Sequence, residues 1–423
     1  MDHTPVICDY GSGLSKVGFA GAEAPTAVFP TIIGKLQHKN LLVGLEEEDS
    51  FIGSEAQNNL SRLNMHYPIT RGAITNWNSV EKIWHHSFYQ VLNIPPDQHP
   101  IMITEPPLNN KDDKSRMTQI LFETFNVPAL YMANQGVLSM YAAGRTSGTT
   151  IEAGEGMTYF VPIINGYPLA LSSTKLDIAG QDLTVYLLKL LSESGNLLVG
   201  TADLEYIRDL KEKHCYVALD YDMEIAKTST PSYKKKFQLP DGKEVILGQE
   251  AFMCSEALFN TSLIGRSSPG IHMQAQQSIT SCDHSYWKTL FSHIMVSGGT
   301  ASLAGLRLRL QREITKLVSP DLYVKVAISP YAKYGAWVGA SILCSLPMFK
   351  DILYTTDSLE VGWGELKDGK QKGKAERRAS IVPAGRCPGH LVPSSHPGSS
   401  EHSKSTVKFS NITTLAPCAL VSS

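Results

Sequence analysis

Two short glycine-rich stretches, each beside a carboxylate, have the composition of phosphate-binding turns. The first is VICDYGSGLSKVGF, with Asp9 ahead of its glycines, and the second is TIEAGEGMTYF, with Glu152 in the corresponding place. Glycine has no Cβ, so consecutive backbone N–H groups can approach and converge on an anion. Either turn alone is better explained as an ordinary β-hairpin with glycines at positive φ. Only the repetition points to phosphate.

The repetition predicts two similar domains that close on one triphosphate from opposite sides. Each turn follows an apolar run typical of a strand, with the acid at the end of that run. The two carboxylates would hold water around a bound Mg²⁺ rather than touch phosphate, since Mg²⁺ keeps much of its hydration shell. Lys16, which follows the first turn, is within reach of a phosphate. The alternative for Lys16 is a solvated surface lysine.

A third glycine site has the form of a helix start. The stretch IMVSGGTASLAGLRLRLQREI places Ser297, Gly298, Gly299 and Thr300 between an apolar run and an amphipathic helix. Free N–H groups and the helix dipole at such a point can bind an anion or a polar ligand. The spacing matches neither a Walker A motif nor a Rossmann fingerprint.

The elements that must position these turns alternate along the chain, which predicts an α/β protein. Short apolar runs such as VICDYG, HPIMITEPP and ALYMANQG are typical of strands that end in turns. The stretches SVEKIWHHSFYQVL and DLTVYLLKLLSE carry apolar residues at three- and four-residue spacing, which predicts helices buried along one stripe. Asp182 and Thr184 lie where the second of these helices should begin.

Composition excludes several classes of protein. A chain of 423 residues with 42% apolar and 18% charged residues has enough apolar material for two or more cores. The formal net charge of −2 favours neither nucleic acid nor a membrane surface. No run approaches the roughly 18 apolar residues that span a bilayer, so we expect a cytoplasmic or nuclear protein. The seven scattered cysteines predict reduced thiols rather than disulfides or a zinc site.

Two regions depart from the α/β pattern. Residues 35 to 66 are polar and irregular, which predicts a mobile projection, and the acidic run Glu46–Asp49 within them is explained as a solvated face. After about residue 350 the chain becomes rich in Lys, Arg, Gly, Pro and Ser. We therefore expect residues 366–423 to form a disordered tail.

Longer stretches of the sequence carry a resemblance to a known family. They include GSGLSKVGFAGAEAP, TNWNSVEKIWHHSFYQVL, MTQILFETFNVPALYMANQGVLSMYAAGRT, RDLKEKHCYVALD, SGGTASLAGL and KYGAWVGASIL. Over roughly residues 5 to 350 the chain resembles actin and the actin-related proteins. The resemblance implies the actin-like ATPase fold, shared with sugar kinases and heat-shock chaperones, in which two lobes and four subdomains surround an ATP–Mg²⁺ cleft.

The resemblance also implies domain limits. The small lobe would comprise residues 1–142 and 335–365, with a projecting subdomain at 31–67. The large lobe would comprise residues 143–334, with an inserted subdomain at 179–266. The projection would correspond to the loop by which one actin subunit contacts the next.

Site residues follow from the resemblance by position. The first phosphate turn would be Gly11, Ser12, Gly13, Leu14 and Lys16. The second phosphate turn would be Gly154, Glu155, Gly156 and Met157. The adenosine pocket would be Lys211, Glu212, Gly298, Gly299, Thr300, Ser302 and Lys333. Asp9, Gln135 and Glu152 would organise Mg²⁺, through water, and the attacking water. Gln135 suits the second task because an amide both donates and accepts hydrogen bonds.

Departures from the family at this site predict slow hydrolysis. The family has aspartate where this chain has Glu152 and Glu155, and histidine where it has Tyr159. A misplacement of about 1 Å can lower a rate ~10²-fold, and the extra methylene moves the carboxylate by about a bond length. Tyrosine, with an ordinary pKa near 10, is a poor proton relay at neutral pH. We therefore expect ATP to bind and to be cleaved more slowly than by conventional actin.

Other departures predict weak self-assembly. Arg266 stands where the family has a methionine in an apolar plug, and an unpaired charge buried there would cost several kcal/mol. Gln181 replaces an arginine, Arg71 replaces the family's modified histidine, and the N-terminal acidic cluster is reduced to Asp2. The segment DILYTTDSLEVGWGELK has little in common with the family's C-terminal helix.

The resemblance implies a hydrophobic cleft at the base of the small lobe that binds an amphipathic helix of a regulator. Its residues would be Tyr141, Gly144, Thr146, Val338, Ile342, Leu343 and Leu346. The alternative is that these side chains only close the core.

Together these features predict a divergent, ATP-binding actin-like protein with a structural role in a cytoskeletal complex. Its partners would be actin-binding-type regulators, actin itself or a multi-subunit complex, with no membrane and no direct nucleic acid. The alternatives are a filament-forming ATPase, a non-polymerising subunit of a nuclear or cytoskeletal complex, and, least favoured, a metabolite kinase of the same fold. We expect a cytoplasmic, cytoskeletal location, with the nucleus as the alternative.

Overall fold

The computed structural model describes residues 3–36, 50–196, 198, 201–228 and 234–355. The predicted disordered tail at 366–423 and the acidic run Glu46–Asp49 lie outside the described residues. So do residues 37–49 of the predicted projection.

Strands and helices alternate through the described chain, as predicted for an α/β protein. The strands are β1 Val6–Tyr10, β2 Leu14–Phe19, β3 Ala27–Pro30, β4 Ile33–Leu36, β5 Ser50–Ile52, β6 Leu63–His66, β7 Ile69–Thr70, β8 Ala73–Ile74, β9 Ile101–Glu105, β10 Ala129–Asn134, β11 Gly148–Ala153, β12 Thr158–Ile164, β13 Tyr167–Pro168, β14 Thr174–Leu176, β15 Lys235–Gln238, β16 Glu244–Leu247, β17 Ile294–Ser297, β18 Val326–Ile328 and β19 Tyr354–Thr355. The helices are α1 Ser54–Asn58, α2 Trp77–His85, α3 Lys111–Glu123, α4 Gln135–Ala142, α5 Gly180–Glu193, α6 Thr201–His214, α7 Tyr221–Lys227, α8 Glu250–Glu256, α9 Ile271–Thr280, α10 His284–Ser292, α11 Leu306–Leu317 and α12 Gly335–Cys344.

Two six-stranded mixed sheets have related topologies. The first has the order β19-β10-β9-β1-β2-β3, and the second runs β13-β12-β11-β17-β18 with β14 also paired to β12. In each sheet a central strand is antiparallel to the strand that follows it in the chain and parallel to a later strand: β1 to β2 and β9, and β11 to β12 and β17. The two glycine turns are the turns of the two equivalent hairpins, β1–β2 and β11–β12.

The equivalence extends to the acids. Asp9 pairs with Lys16 across the first hairpin, and Glu152 pairs with Tyr159 across the second. Parallel strands direct their carboxyl ends to one edge of a sheet, so the two acids lie at corresponding points of the two sheets.

Helix starts agree with the capping pattern of the sequence. α5 begins at Gly180, and the Asp182 carboxylate accepts a hydrogen bond of 3.0 Å from the Ala179 N–H, which precedes the helix. α2 begins after Asn76, whose side chain accepts from the Ser79 N–H, and it continues as a π-helix from His86 to Val91. The helices predicted in SVEKIWHHSFYQVL and DLTVYLLKLLSE are confirmed.

Separate hydrophobic cores underlie the two sheets. One core contains buried residues between Val6 and Met132, such as Trp84 and Phe88. The other contains buried residues between Ile151 and Val326. This division falls near the predicted lobe boundary at residues 142–143, although the exact lobe and subdomain limits stay predictions.

The predicted projection contains ordered structure where it is described. β4, β5 and β6 form a three-stranded antiparallel sheet, with α1 beside it. Ile32, Ala56 and Leu63 are buried in a small cluster of their own. The irregular pattern of the sequence therefore conceals a small folded unit.

α4 and α12 pack closely, because Gly339 brings α12 against the backbone of α4. A Cβ at Gly339 would overlap the Leu138 carbonyl. Gly339→Ala is expected to lower the free energy of unfolding by about 1–3 kcal/mol, measured by urea denaturation. An alanine in a helix normally stabilises it relative to glycine, so an unchanged or higher midpoint would contradict this packing. Gly299→Ala, which enters open space, is the control.

The five cysteines within the described residues are free and buried, namely Cys8, Cys215, Cys254, Cys282 and Cys344. This agrees with the prediction of reduced thiols for that part of the chain. None of the helices in the described ranges is both long and apolar enough to cross a membrane.

Candidate functional site

Asp9 is a buried carboxylate held by three donors at the end of β1. Its Oδ2 accepts from Lys16 Nζ at 2.9 Å, and its Oδ1 accepts from Thr104 Oγ1 at 2.6 Å and from Gln135 Nε2 at 3.0 Å. These bonds fix the orientation of the carboxylate. The Lys16 side chain is 13% exposed, so the alternative of a solvated surface lysine is wrong.

Gln135 reaches Asp9 because of the way β10 passes into α4. Asn134 ends the strand and caps the helix, since its Oδ1 accepts from the N–H groups of Gly136 and Val137. Gln135 is therefore the first residue of α4, next to the end of β1. An amide in this position can donate to Asp9 through Nε2 and still accept through Oε1.

Glu152 is the buried counterpart of Asp9 at the end of β11. It is 8% exposed, and its Oε1 has no hydrogen-bond partner. Burial raises the pKa of the Glu152 carboxyl to about 7, with the charge of Asp9 adding to the rise. Hydrogen bonds from Ser139 and Ser297 and the charge of Lys16 oppose it. The two equivalent acids therefore differ, because Asp9 has three good donors and Glu152 has an unsatisfied oxygen.

Each glycine turn is closed by a backbone hydrogen bond. Gly11 N–H donates to Leu14 C=O at 3.0 Å, and Gly154 N–H donates to Met157 C=O at 3.1 Å. Both hairpins share this pattern. The residues between the bonded ends are therefore free to direct their N–H groups into the space between the sheets.

The two turns contact each other. A Cβ on Gly13 would lie 2.9 Å from Glu155 Cβ, and one on Gly156 would lie 2.6 Å from Ser12 Oγ. Real Cβ atoms do not approach so closely, so glycine at both positions permits the contact. The first turn therefore meets the second at the mouth of one shared space.

Lys211 is a buried ammonium next to the second turn. It is 4% exposed and donates to Gly180 C=O at 2.7 Å and to Thr184 Oγ1 at 2.8 Å. Its Nζ lies 3.9 Å from Glu155 Oε2. The two hydrogen bonds hold the ammonium group at the start of α5, close to the second turn.

An ion pair and a hydroxyl also line the site. Lys333 Nζ lies 3.3 Å from Glu212 Oε2, with both side chains partly exposed. Thr300 Oγ1 donates to Gly154 C=O at 2.7 Å, which joins the third glycine site to the second turn.

One cavity of about 460 Å³ brings the predicted residues together. Its size lies within the range typical of small-molecule and cofactor sites. Its lining includes the three predicted catalytic residues Asp9, Gln135 and Glu152. It also includes all predicted cofactor residues, which are Gly11, Ser12, Gly13, Leu14, Lys16, Gly154, Glu155, Gly156, Met157, Lys211, Glu212, Gly298, Gly299, Thr300, Ser302 and Lys333.

The lining fits a magnesium nucleotide. Oxygen ligands suit Mg²⁺, and the two carboxylates with the Gln135 amide supply them, while Lys16 and the glycine turns suit phosphate. The unpartnered Glu152 Oε1 is an acceptor that a bound group could satisfy. Among the described residues, no group of three or more His, Cys, Asp or Glu side chains could hold a metal ion. Mg²⁺ here would therefore depend on water and phosphate for most of its ligands.

Comparison with known families agrees with the fold. The family model described as Actin matches residues 1–358 of this chain. The chain belongs to the actin family. The predicted family and the predicted actin-like ATPase fold are thereby confirmed, and the match ends close to residue 350, where the sequence changes character.

Membership carries general properties of the actin family. Its proteins generally bind ATP or ADP with Mg²⁺, generally interact with other proteins and are typically cytoskeletal. The individual roles of the residues that line the cavity stay predictions.

The predicted partner cleft of this actin-family chain is only partly exposed. Val338 and Leu343 are each 4% exposed and pack in the core with Trp337. Tyr141, Ile342 and Leu346 are half-buried around this cluster, and the exposed Gly144 and half-buried Thr146 follow α4. The seven residues thus divide between the two explanations, since two of them close the core and the other five are half-buried or exposed.

Four residues at which the sequence predicts departures from the family pattern have different surroundings. Tyr159 is buried, and burial raises the pKa of its hydroxyl to about 12, so it stays protonated at neutral pH. Arg266 is exposed. Arg71 forms an ion pair with Asp182. Gln181 lies at the start of α5, beside that pair.

Thr104 and Ser139 are polar site residues that the sequence reasoning missed, whereas Ser297 belongs to the third glycine site predicted from the sequence. Thr104 bonds Asp9 from β9, and the Ser139 and Ser297 hydroxyls lie 3.3 Å apart beside Glu152. Thr104 follows the apolar run of HPIMITEPP at a strand end, so its position was a usable signal. Ser139 lies within a helix and carries no such signal.

Proposed function

We propose that this actin-family protein binds ATP or ADP with Mg²⁺ in the cavity between its two hairpins and works as a nucleotide-stiffened, protein-binding subunit of a cytoskeletal assembly. The observation that carries the proposal is the convergence of both glycine turns, both acids and the third glycine site on one cavity of about 460 Å³. Two hairpins from separate sheets share this space, so a bound nucleotide would connect the two cores.

The residues divide into three tasks. The glycine turns and Lys16 bind phosphate, while Lys211, Glu212 and Lys333 border the adenosine end. Gln135, oriented by its bond to Asp9, aligns a water molecule near the phosphate end. Bound Mg²⁺ would supply charge neutralisation on the phosphates, in the way general to phosphoryl transfer.

Slow hydrolysis is part of the proposal. Glu152 is one methylene longer than the family's aspartate, and its burial holds the pKa of the carboxyl at about 7. A site whose charged groups are misplaced by about 1 Å can lose ~10²-fold in rate. Tyr159 stays protonated and adds no proton acceptor at neutral pH.

Weak self-assembly is proposed from the surface. Arg266 is exposed, so its charge carries no desolvation penalty in the free subunit. If a second copy of the chain buried this side chain, the charge would need an ionic partner. A non-polymerising subunit in a cytoskeletal or nuclear complex therefore suits the chain better than a filament-forming ATPase. Cytoplasmic regulators, actin itself or a larger complex are the proposed partners.

Nucleotide binding is tested with Lys16→Ala. Removing a charged donor to phosphate is expected to weaken ATP affinity about tenfold or more, since a hydrogen bond to a charged group contributes about 1.5–3 kcal/mol. The measurement is a titration of purified protein with a fluorescent ATP analogue in the presence of Mg²⁺.

Lys35→Ala is the matched control, because Lys35 is an exposed lysine of β4 outside the cavity lining. Equal affinity of the two variants would contradict the role of Lys16. Absence of binding by the wild-type protein would overturn the proposed function. Transfer of phosphate to an added sugar would instead support the metabolite kinase.

A further inference from the structure

The aromatic side chains that line the cavity lie beside the two acids. Among the described residues, the lining contains two tyrosines, Tyr10 and Tyr159, and no phenylalanine or tryptophan. Tyr10 directly follows Asp9 at the end of β1, and Tyr159 pairs with Glu152 across the second hairpin. We call the part of the cavity formed by the two glycine turns and the two acids its phosphate end. Both rings therefore belong to the phosphate end.

Three other segments of the lining meet at what we call the base end of the cavity. The Val217 N–H donates to Ala304 C=O at 2.8 Å, which connects the segment after α6 to the segment after the third glycine site. The Gly298 N–H donates to Ala332 C=O at 2.7 Å, which brings Lys333 next to the same site. The base end is lined by residues without an aromatic ring, which are Lys211, Glu212, Gly299, Ser302, Leu303 and Lys333.

The apolar contact available at the base end is aliphatic. Stacking on an aromatic side chain is a main source of binding energy for a nucleic-acid base. Leu303, which is 7% exposed, supplies apolar surface here instead. A Cβ on Gly299 would meet no described atom within 4 Å, so this wall of the cavity is not closely packed. Aliphatic contact depends on buried area and differs little from one purine to another.

The buried polar side chains near the base end are already bound to the protein. Lys211 donates to Gly180 C=O at 2.7 Å and to Thr184 Oγ1 at 2.8 Å. Thr300 Oγ1 donates to Gly154 C=O at 2.7 Å. A change of base would therefore leave neither Lys211 nor Thr300 without a partner.

Glu212 and Lys333, the other charged residues of the base end, are in contact with water. Lys333 Nζ lies 3.3 Å from Glu212 Oε2, and the two side chains are 41% and 49% exposed. A site rejects the wrong ligand strongly when that ligand leaves buried polar groups unpaired, because their desolvation is then uncompensated. This pair keeps water and each other as partners whichever base is bound, so a mismatched base carries little penalty.

We propose that the cavity selects its nucleotide by the phosphates and not by the base. The protein then binds ATP, GTP and UTP with affinities within about tenfold of one another. The inference rests on the proposed function, because it names the ligand class of that same cavity. The glycine turns and Lys16 supply contacts common to all nucleoside triphosphates. The confinement of both rings to the phosphate end is the observation that carries the proposal.

The test is competition against an ATP analogue with its fluorophore on the ribose. ATP, GTP and UTP, each with Mg²⁺, are titrated into the wild-type protein loaded with this analogue. We expect the three affinities to lie within about tenfold of one another. A larger preference for ATP over GTP or UTP would overturn the inference and leave the proposed function in place. If neither the analogue nor ATP binds, the proposed function fails and the inference fails with it.

Ser302→Tyr supplies the ring that the base end lacks. Ser302 is exposed and lines the cavity, so a tyrosine there should leave the core intact. We expect this variant to bind ATP and GTP about tenfold more tightly than the wild-type protein does. UTP should gain less, because a pyrimidine has a smaller face for stacking. Unchanged affinities for ATP and GTP would overturn the assignment of the base end.

Ala304→Tyr is the matched control. Ala304 is exposed and lies two residues beyond Ser302, outside the cavity lining. The same ring at this position should leave all three affinities at their wild-type values. An equal gain in Ala304→Tyr would also overturn the assignment, because the ring would then act from outside the cavity. Urea denaturation of both variants checks that they fold.

Discussion

Glu152→Asp is expected to hydrolyse ATP up to about 100-fold faster than the wild-type protein. The two hairpins are equivalent in topology, and Asp9 already occupies the strand end of the first with three donors around its carboxylate. The shorter side chain moves the second carboxylate back by about one bond length, towards the position equivalent to that of Asp9. Moving a catalytic group by about 1 Å into the correct position can raise the reaction rate ~10²-fold.

Single-turnover hydrolysis with saturating protein and Mg²⁺ measures this change without interference from product release. The affinity for ATP should change much less than the cleavage rate, because the glycine turns and Lys16 stay in place. Glu193→Asp repeats the same chemical change on the exposed end of α5 and should leave the rate unaltered. If Glu152→Asp binds ATP but cleaves it no faster, the longer side chain is not the cause of slow hydrolysis.

Local patterns in the sequence predicted the elements well because short-range physics determines them. The carboxylate of Asp182 marked the start of α5 correctly, since it bonds the Ala179 N–H at the helix end. The pairing of Asp9 with Lys16 also had a local signal. A hairpin around the first glycine turn sets these residues opposite each other, where unlike charges attract.

Local patterns in the sequence could not predict contacts between distant segments. Thr104 and Arg71 meet their partners only after the sheets and lobes assemble, 95 and 111 residues away in sequence. The repeated glycine turns predicted two similar domains, but the lobe and subdomain limits came from the family resemblance, because apolar periodicity gives elements but not their packing. The described residues of the predicted projection were misjudged for a related reason, as a three-stranded sheet with a very small core has little periodicity to detect.

The stability of the nucleotide-free protein is expected to fall as pH rises from 4.5 to 7 because of Glu152. Burial raises the pKa of this carboxyl from its ordinary value of 4.5 to about 7 in the folded protein. Between these values the unfolded chain has lost the proton and the folded chain retains it, so unfolding releases a proton and becomes easier at higher pH. The loss amounts to about 3 kcal/mol and is complete above pH 7.

Glu152→Gln should remove this pH dependence. Glutamine has nearly the same shape and stays neutral, so its free energy of unfolding should exceed that of the wild-type protein by more at pH 8 than at pH 5. Urea denaturation at several pH values between 4.5 and 8 measures the difference. Glu193→Gln, at an exposed position, should keep the wild-type slope. If the slopes of wild-type protein and Glu152→Gln coincide, the carboxylate is already stabilised when charged, and its unpartnered Oε1 has a donor in solution.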